Sequence, residues 1–263
     1  VGALALRVYA MADGQGVDAQ TFLERGPYQG QRLTLRAAKL LADGALGSRG
    51  AALKEPYSDD PEQRGLMLLE SAVLEEKARA FSSRGFQVAI HAIGDRANAV
   101  VIEVLSRLEK EHPGSRNRVE HAQGLSPGDI DRIGKAGLVA SMQPTHATSD
   151  MPWAQARLGA DRVRGAYAWR SVLEAGARMA FGSDFPVEDP NPLLGLYAAR
   201  TRQDADGRPE GGWMPGQRLT GQEALEGFTT GAAYAAFAEG QRGALAPGQD
   251  ADLVALSVDP LDA

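Results

Sequence analysis

The sequence predicts an α/β fold, namely a partial (β/α)8 barrel of the TIM type with about six βα units. Short apolar runs alternate with amphipathic helical stretches, which is typical of parallel strands joined by crossover helices. Several of these runs are almost continuously apolar, as expected for strands that are covered on both faces. The length of 263 residues suits such a barrel as a single domain.

Six stretches are predicted to be strands: residues 4–11, 33–41, 86–93, 117–121, 138–143 and 178–182. Helical periodicity predicts helices over residues 69–83 and 96–111. Ser126 and Pro127 should cap and open a short helix, and Thr220 with Glu223 forms a capping box for another. A closed barrel has eight units, so two are expected to be missing, and the strand-like start of the sequence places them at the N-terminus. The bare edges of an open sheet favour pairing with another chain, which predicts a homo-oligomer.

The end of the sequence differs from the barrel pattern. Residues 243–256 predict a strand, a Pro-Gly turn and a second strand. The expected domains are therefore an N-terminally incomplete barrel over residues 1–242 and part of a β-sandwich appendage over residues 243–263. The polar, glycine-containing stretch 203–216 is expected to be a surface loop.

Composition excludes several classes of partner. Lys and Arg number 28 against 34 Asp and Glu, and no long basic run occurs, which argues against nucleic acid. No apolar run approaches the ~20 residues that span a bilayer, so no membrane contact is expected. The sequence has no cysteine, so a metal must be held by His, Asp, Glu or a modified Lys, which suits zinc, manganese or iron. The expected location is the cytoplasm.

Four polar side chains lie at or near the ends of predicted strands. They are Lys39, His91, His121 and Asp184. In a barrel, functional residues come from the carboxyl ends of the strands and the loops that follow, so we expect these four to share one site. Each alone has a structural explanation: a hydrogen-bonded histidine, a snorkelling lysine, or an aspartate that caps the next helix. The combination favours a metal, because a buried charge in a strand needs a partner.

Further candidates lie near the same end of the barrel. His146 follows a strand and could hold substrate or stabilise an oxyanion, or it could be an exposed loop histidine. Asp95 could contact substrate, but the sequence favours the role of capping a helix that starts at Arg96. Trp153, in the predicted specificity loop 147–158, and Trp213 could line an apolar pocket or simply cover the mouth of the barrel.

The motifs around these residues resemble those of the amidohydrolase superfamily, specifically the amidohydrolase-3 branch that includes N-substituted formamide deformylase. The matching stretches occur in family order: residues 39–49, 91–95, 120–123, 143–146, 182–187 and 247–254. The resemblance implies a metal-dependent hydrolase that cleaves C–N, amide-type bonds of a small-molecule substrate through metal-activated water.

The resemblance also implies roles for the four strand-end residues. His91 and His121 would bind the metal, Lys39 would bridge two metals once carboxylated, and Asp184 would bind metal and shuttle a proton. The family's first strand carries a His-x-His pair, which this sequence lacks. The expectation is therefore a divalent metal, zinc above all, with one or two ions in the full-length protein and at most one ion here.

The sequence leaves two other functions open. The chain could be a catalytically inactive barrel fragment that only binds ligand or associates with itself. It could also be a metal-free barrel enzyme that uses Lys39 as a Schiff-base nucleophile.

Overall fold

A computed structural model describes residues 4–261 of the protein. The strands of this part form one sheet: β1 (Val8–Asp13), β2 (Tyr28–Gln29), β3 (Leu33–Leu41), β4 (Gln87–Ala92), β5 (Arg118–His121), β6 (Val139–Met142) and β7 (Arg178–Phe181). Six strands run parallel in the order β1-β3-β4-β5-β6-β7, and β2 pairs antiparallel with β3. All six predicted strands are present, with bounds that differ by a few residues. The sheet is open, with β1 and β7 as its edges within the described residues.

Helices connect the strands and cover the sheet: α1 (Ala19–Arg25), α2 (Ser71–Ser83), α3 (Asp95–Glu111), α4 (Pro127–Ala136), α5 (Pro144–Arg162), α6 (Trp169–Glu174), α7 (Pro192–Thr201), α8 (Gly221–Glu226) and α9 (Ala232–Ala235). A π-helical turn, Gly227–Gly231, joins α8 to α9. Each crossover between successive parallel strands contains at least one helix, as the alternation in the sequence predicts.

Apolar periodicity determines how the helices pack. In α3, Val101, Leu105 and Leu108 are fully buried, at helical spacings of four and three. Burial of each such side chain contributes about 1.5–3 kcal/mol. The predicted capping box is also present, because the Thr220 hydroxyl accepts from the Glu223 amide while the Glu223 carboxylate accepts from the Thr220 amide.

The amino-terminal end of the sheet is covered by α9 and the residues that follow it. The Arg36 guanidinium lies 3.5 Å from the centre of the Phe237 ring, and the Arg116 guanidinium lies 3.9 Å from the Tyr234 ring. Arg116 also forms an ion pair with Glu239 at 2.6 Å. The carboxyl ends of the strands lie at the opposite end of the sheet.

The predicted strands of residues 243–256 are wrong. In residues 243–261 the structure shows turns and extended coil without a strand. Leu253 and Val254 are 69% and 77% exposed. An isolated strand needs a hydrogen-bonded neighbour, and the described part of the chain supplies none to this segment. The domain boundary after residue 242 stays a prediction.

Over residues 4–261, no helix is both long enough and apolar enough to cross a lipid bilayer.

Candidate active site

Two histidine rings meet at the carboxyl end of the sheet. His91 is the fifth residue of β4, and His121 ends the neighbouring strand β5, where it is paired with Ala92. The ring centres lie 4.6 Å apart at an angle of 74°, an edge-to-face arrangement. Only 15% of the His91 side chain is exposed, and His121 is 8% exposed.

The His91 imidazole is neutral and has an unsatisfied nitrogen. Burial, with smaller contributions from His121 and Lys39, lowers the pKa of His91 from 6.5 to about 3. Its Nε2 atom is buried and has no hydrogen-bond partner among residues 4–261. The nearest carboxylate oxygen, Oδ1 of Asp43, lies 3.5 Å away. A buried polar atom without a partner needs an explanation, and a bound ion or a catalytic role is one such explanation.

His121 is held by a residue to which the sequence analysis gave no role. Its Nδ1 lies 2.8 Å from Oε1 of Gln143, which fixes Nδ1 as the donor and leaves the Nε2 lone pair free. Burial, followed by the charge of Lys39, lowers the pKa of His121 to about 4. Its backbone is left-handed with φ 70°, a conformation that costs a non-glycine residue about 1–2 kcal/mol. Such strain is typical of functional sites.

Lys39 lies in β3, paired with Asp13 of β1 and Ala89 of β4. Burial lowers the pKa of Lys39, and the charges of Glu120 and Asp184 partly oppose that effect. Burial acts to raise the pKa of Glu120, but Arg118, at 2.8 Å, and then Lys39 outweigh it and keep that pKa below its usual value. The charges that act on Lys39 are therefore those of Glu120 and Asp184, which raise its pKa, and that of Arg118, which lowers it.

Asp184 lies in the loop after β7, exposed and with a left-handed backbone of φ 58°. Its negative charge is among those that raise the pKa of Lys39 and of His91. The structure thus brings Lys39, His91, His121 and Asp184 to the same end of the sheet.

Asp43 is a site residue that sequence reasoning quoted within a motif but gave no role. Its fully buried carboxylate accepts three backbone N–H bonds, from Ala52 at 2.8 Å, Ile93 at 3.0 Å and Gly94 at 2.8 Å. Burial raises the pKa of Asp43 to about 6, although these bonds oppose the rise. Asp43 thereby ties the loop after β3 to the end of β4, beside His91. Its position two residues past a predicted strand was the available signal.

His146 lies in the first turn of α5, where its ring stacks on His121 at 5.8 Å and 19°. Its Nε2 atom is also buried without a hydrogen-bond partner in the described part of the chain. The prediction of a loop over residues 147–158 is wrong, because α5 runs through them. Pro144 at the start of the helix was the missed signal.

The rings of Trp153 and Trp213 pack against neighbouring segments of the chain. The half-buried Trp153 ring packs on Gly47 of the loop after β3, where an added Cβ would lie 3.3 Å from the ring. Trp213 packs against Tyr167, with ring centres 5.6 Å apart. Both rings cover neighbouring segments in this structure.

Asp95 is the first residue of α3, and Gly94 is the N-cap, so the expected helix start at Arg96 is one residue late. Oδ1 of Asp95 accepts from the backbone N–H of Lys54 at 2.8 Å. The bond that the structure shows for Asp95 is structural.

The donor atoms fit a metal ion only in part. Within residues 4–261, no group of three His, Cys, Asp or Glu residues could hold a metal ion. The chain does supply two adjacent neutral imidazoles, and Nε2 of His91 is an unsatisfied buried nitrogen of the kind that a metal ion would satisfy. The parallel α/β sheet and the imidazole pair together are typical of a barrel-type protein whose polar site residues lie at the carboxyl ends of its strands.

Comparison with known proteins identifies the family. The amidohydrolase family profile matches residues 2–263, and the chain belongs to that family. It is 37% identical over 263 residues to the putative amidohydrolase YtcJ of Bacillus subtilis (strain 168), covering 98% of this chain and 48% of that protein. It is 25% identical over 231 residues to N-substituted formamide deformylase of Arthrobacter pascens, covering 86% and 41%.

The fold comparison agrees. The crystal structure of an uncharacterized metal-dependent hydrolase from Pyrococcus horikoshii OT3 matches with a TM-score of 0.88 and 33% identity, over 100% of this chain and 52% of that one. The chain spans about half the length of the relatives it matches. The predicted superfamily and the partial-barrel α/β fold are confirmed.

Proposed function

We propose that the protein is a metal-dependent hydrolase that cleaves C–N, amide-type bonds of a small molecule. The observation that carries this proposal is the His91–His121 pair: two neutral imidazoles with ring centres 4.6 Å apart, one of which has a buried, unpaired Nε2. Two relatives support it by name, a metal-dependent hydrolase and an N-substituted formamide deformylase.

His91 and His121 would be the nitrogen ligands of a divalent ion, for which we propose zinc. Lys39, as a carbamate, and Asp184 would supply oxygen ligands. Bound there, the ion would polarise a carbonyl group and lower the pKa of a water molecule towards ~7. Gln143 contributes by holding His121 in the tautomer whose Nε2 is free.

Asp184 is proposed as the proton carrier. Its exposed carboxylate lies close enough for its charge to act on Lys39 and His91. In amide hydrolysis the C–N bond breaks, the oxygen of water bonds to the carbonyl carbon, and a proton passes to the leaving nitrogen. Asp184 would take that proton from water and deliver it to the nitrogen.

His146 is proposed to bind substrate beside the metal ligands, since its ring stacks on His121 and its Nε2 has no partner in the described residues. As a donor it would stabilise negative charge that develops on the carbonyl oxygen. The sequence also named Trp153 and Asp95 as substrate contacts. The packing of Trp153 on Gly47 and the bond of Asp95 to Lys54 favour structural roles for both.

A second candidate function is ligand binding or self-association without catalysis. It is favoured by the lack of any three-residue metal-binding group in residues 4–261.

The deciding experiment is a panel of N-formyl and N-acyl amines, with matched esters and phosphate esters as controls. We expect amine and carboxylic acid to be released in equal amounts from amides, with the activity abolished by a chelator and restored by zinc. Amine release that survives complete chelation would contradict the metal-dependent reaction. Binding of these amides without any amine release would favour the second candidate.

A further inference from the structure

Tyr167 is a buried tyrosine whose hydroxyl joins two separate segments. It is 2% exposed and lies between a 3-10 turn, Val163–Gly165, and α6. Its hydroxyl donates to Oδ2 of Asp150 and accepts from Nε2 of Gln123 at 2.6 Å. Gln123 Nε2 also lies 3.3 Å from the same Asp150 oxygen, so the three side chains form one closed network.

The backbone of Tyr167 is fixed as firmly as its side chain. Its φ of 52° is left-handed, which costs a tyrosine about 1–2 kcal/mol unless surrounding bonds hold it. Its N–H donates to the Gln123 carbonyl at 2.8 Å, and its carbonyl accepts from the Arg202 guanidinium at 2.9 Å.

Arg202 is itself anchored. It is fully buried, donates to the Trp213 carbonyl at 2.6 Å, and its guanidinium lies 4.4 Å from the centre of the Trp169 ring. Arginine stacked on an aromatic ring in this way is stabilised by the ring quadrupole. Arg202 thus holds the backbone of Tyr167 in place.

The network leads directly to the candidate active site. Gln123 follows His121 by two residues at the end of β5, and Asp150 follows His146 by one helical turn in α5. One hydroxyl therefore links the strand end that carries His121 to the helix that carries His146. These two rings are the stacked pair, with centres 5.8 Å apart.

We propose that Tyr167 is a positioning residue that sets the spacing of His121 and His146 through Gln123 and Asp150. The inference rests on the proposed function, because that spacing matters only if the two histidines work on one substrate. Misplacement of a group in a site by about 1 Å can cost about 100-fold in rate.

The test is histidine NMR on protein labelled with ¹³C in the imidazole rings. Tyr167→Phe removes only the hydroxyl and keeps the buried ring. We expect the His121 and His146 signals to shift or broaden, while the signal of exposed His112 is unchanged. Tyr9→Phe is the matched control, since it removes a tyrosine hydroxyl bond to Gln87 (3.0 Å) at the other end of the sheet and should leave both signals in place.

A second pair of variants separates positioning from packing. Asp150→Asn keeps an oxygen that can accept from the Tyr167 hydroxyl, so its His121 signal should stay close to wild type. Asp150→Ala removes the acceptor and should reproduce the His121 change of Tyr167→Phe. The His146 signal is not compared in these variants, because both also remove a charge that acts on His146. In amide hydrolysis, Tyr167→Phe and Asp150→Ala should lower kcat about tenfold or more. The kcat of Asp150→Asn should stay close to the wild-type value.

Unchanged His121 and His146 signals in Tyr167→Phe would overturn the proposal. If that variant does not fold, the His121 signals of Asp150→Ala and Asp150→Asn decide it, and identical His121 signals in the two would overturn it. The spectra are recorded without substrate. A wild-type protein that hydrolyses no amide would therefore refute the proposed function, while the spectra would still test the positioning role.

Discussion

At the amino-terminal end of the sheet, Arg116 pairs with Glu239 at 2.6 Å and stacks on Tyr234, so its charge is fully engaged. At the carboxyl end, the Nε2 atoms of His91 and His146 are buried without a hydrogen-bond partner in residues 4–261. A buried polar atom left unpaired costs about 1–3 kcal/mol. The difference between a saturated arginine and two unpaired imidazoles favours the carboxyl end as the place where a ligand binds, as in other barrels of parallel strands.

The largest effect is expected from Asp184→Asn. Loss of a general acid-base carboxylate should lower kcat for amide hydrolysis by about 10²–10⁴-fold, while the thermal unfolding midpoint hardly changes. Asp189→Asn, in the same loop, is the matched control and should keep near-wild-type kcat. An Asp184→Asn protein with wild-type kcat would remove Asp184 from the reaction.

The next largest effect is expected from acidification, which should lower the stability of the protein through His91 at the carboxyl end of the sheet. The folded-state pKa of His91, about 3, lies below its ordinary 6.5, so the unfolded chain binds the extra proton and stability falls as pH drops below about 6.5. Between pH 6.5 and pH 5, the metal-free wild type should lose about 2 kcal/mol of unfolding free energy that His91→Asn does not lose.

Denaturant unfolding in the presence of a chelator measures this difference. Asp43, whose pKa is raised to about 6, shifts stability in the opposite direction as pH falls, but it titrates in both proteins. Parallel pH profiles for the two proteins would contradict the burial of a neutral His91.

The smallest effect belongs to the amino-terminal end. Arg116→Met removes the Glu239 pair, a bond to the Tyr234 carbonyl at 2.7 Å and the stacking on that ring, and should cost about 1–2 kcal/mol of stability. Its kcat should stay unchanged. Arg107→Met, which loses a surface pair with Glu75 at 2.7 Å, should cost less than about 1 kcal/mol. A large loss of kcat in Arg116→Met would erase the distinction between the two ends.

The fold could be predicted because its signals are local and strong. Near-continuous apolar runs marked several of the six parallel strands, and β3 was predicted with its observed bounds, Leu33–Leu41. The two-residue strand β2, Tyr28–Gln29, was missed because a period of two cannot be detected in two residues. The strands predicted over residues 243–256 failed because a strand depends on a neighbour that the local sequence does not specify.

The site could be predicted only where a residue follows a strand directly. That rule found His91 and His121, whose placement depends on strand ends alone. It gave no signal for Tyr167 and Gln143, because the roles proposed for them rest on tertiary bonds to segments 17 and 22 residues away. The role of Trp153 stays a prediction, since an aromatic ring that covers a loop and one that lines a pocket have the same sequence pattern.

The central claim is that the imidazole pair at the carboxyl end of the sheet binds a divalent metal ion. Elemental analysis after dialysis tests it most directly, on the wild type, His91→Asn, His121→Asn and the control His112→Asn, whose histidine is exposed at the end of α3. We predict that wild type and His112→Asn retain zinc or another divalent ion, and that the other two variants lose most of it. Equal metal content in all four proteins would contradict the account.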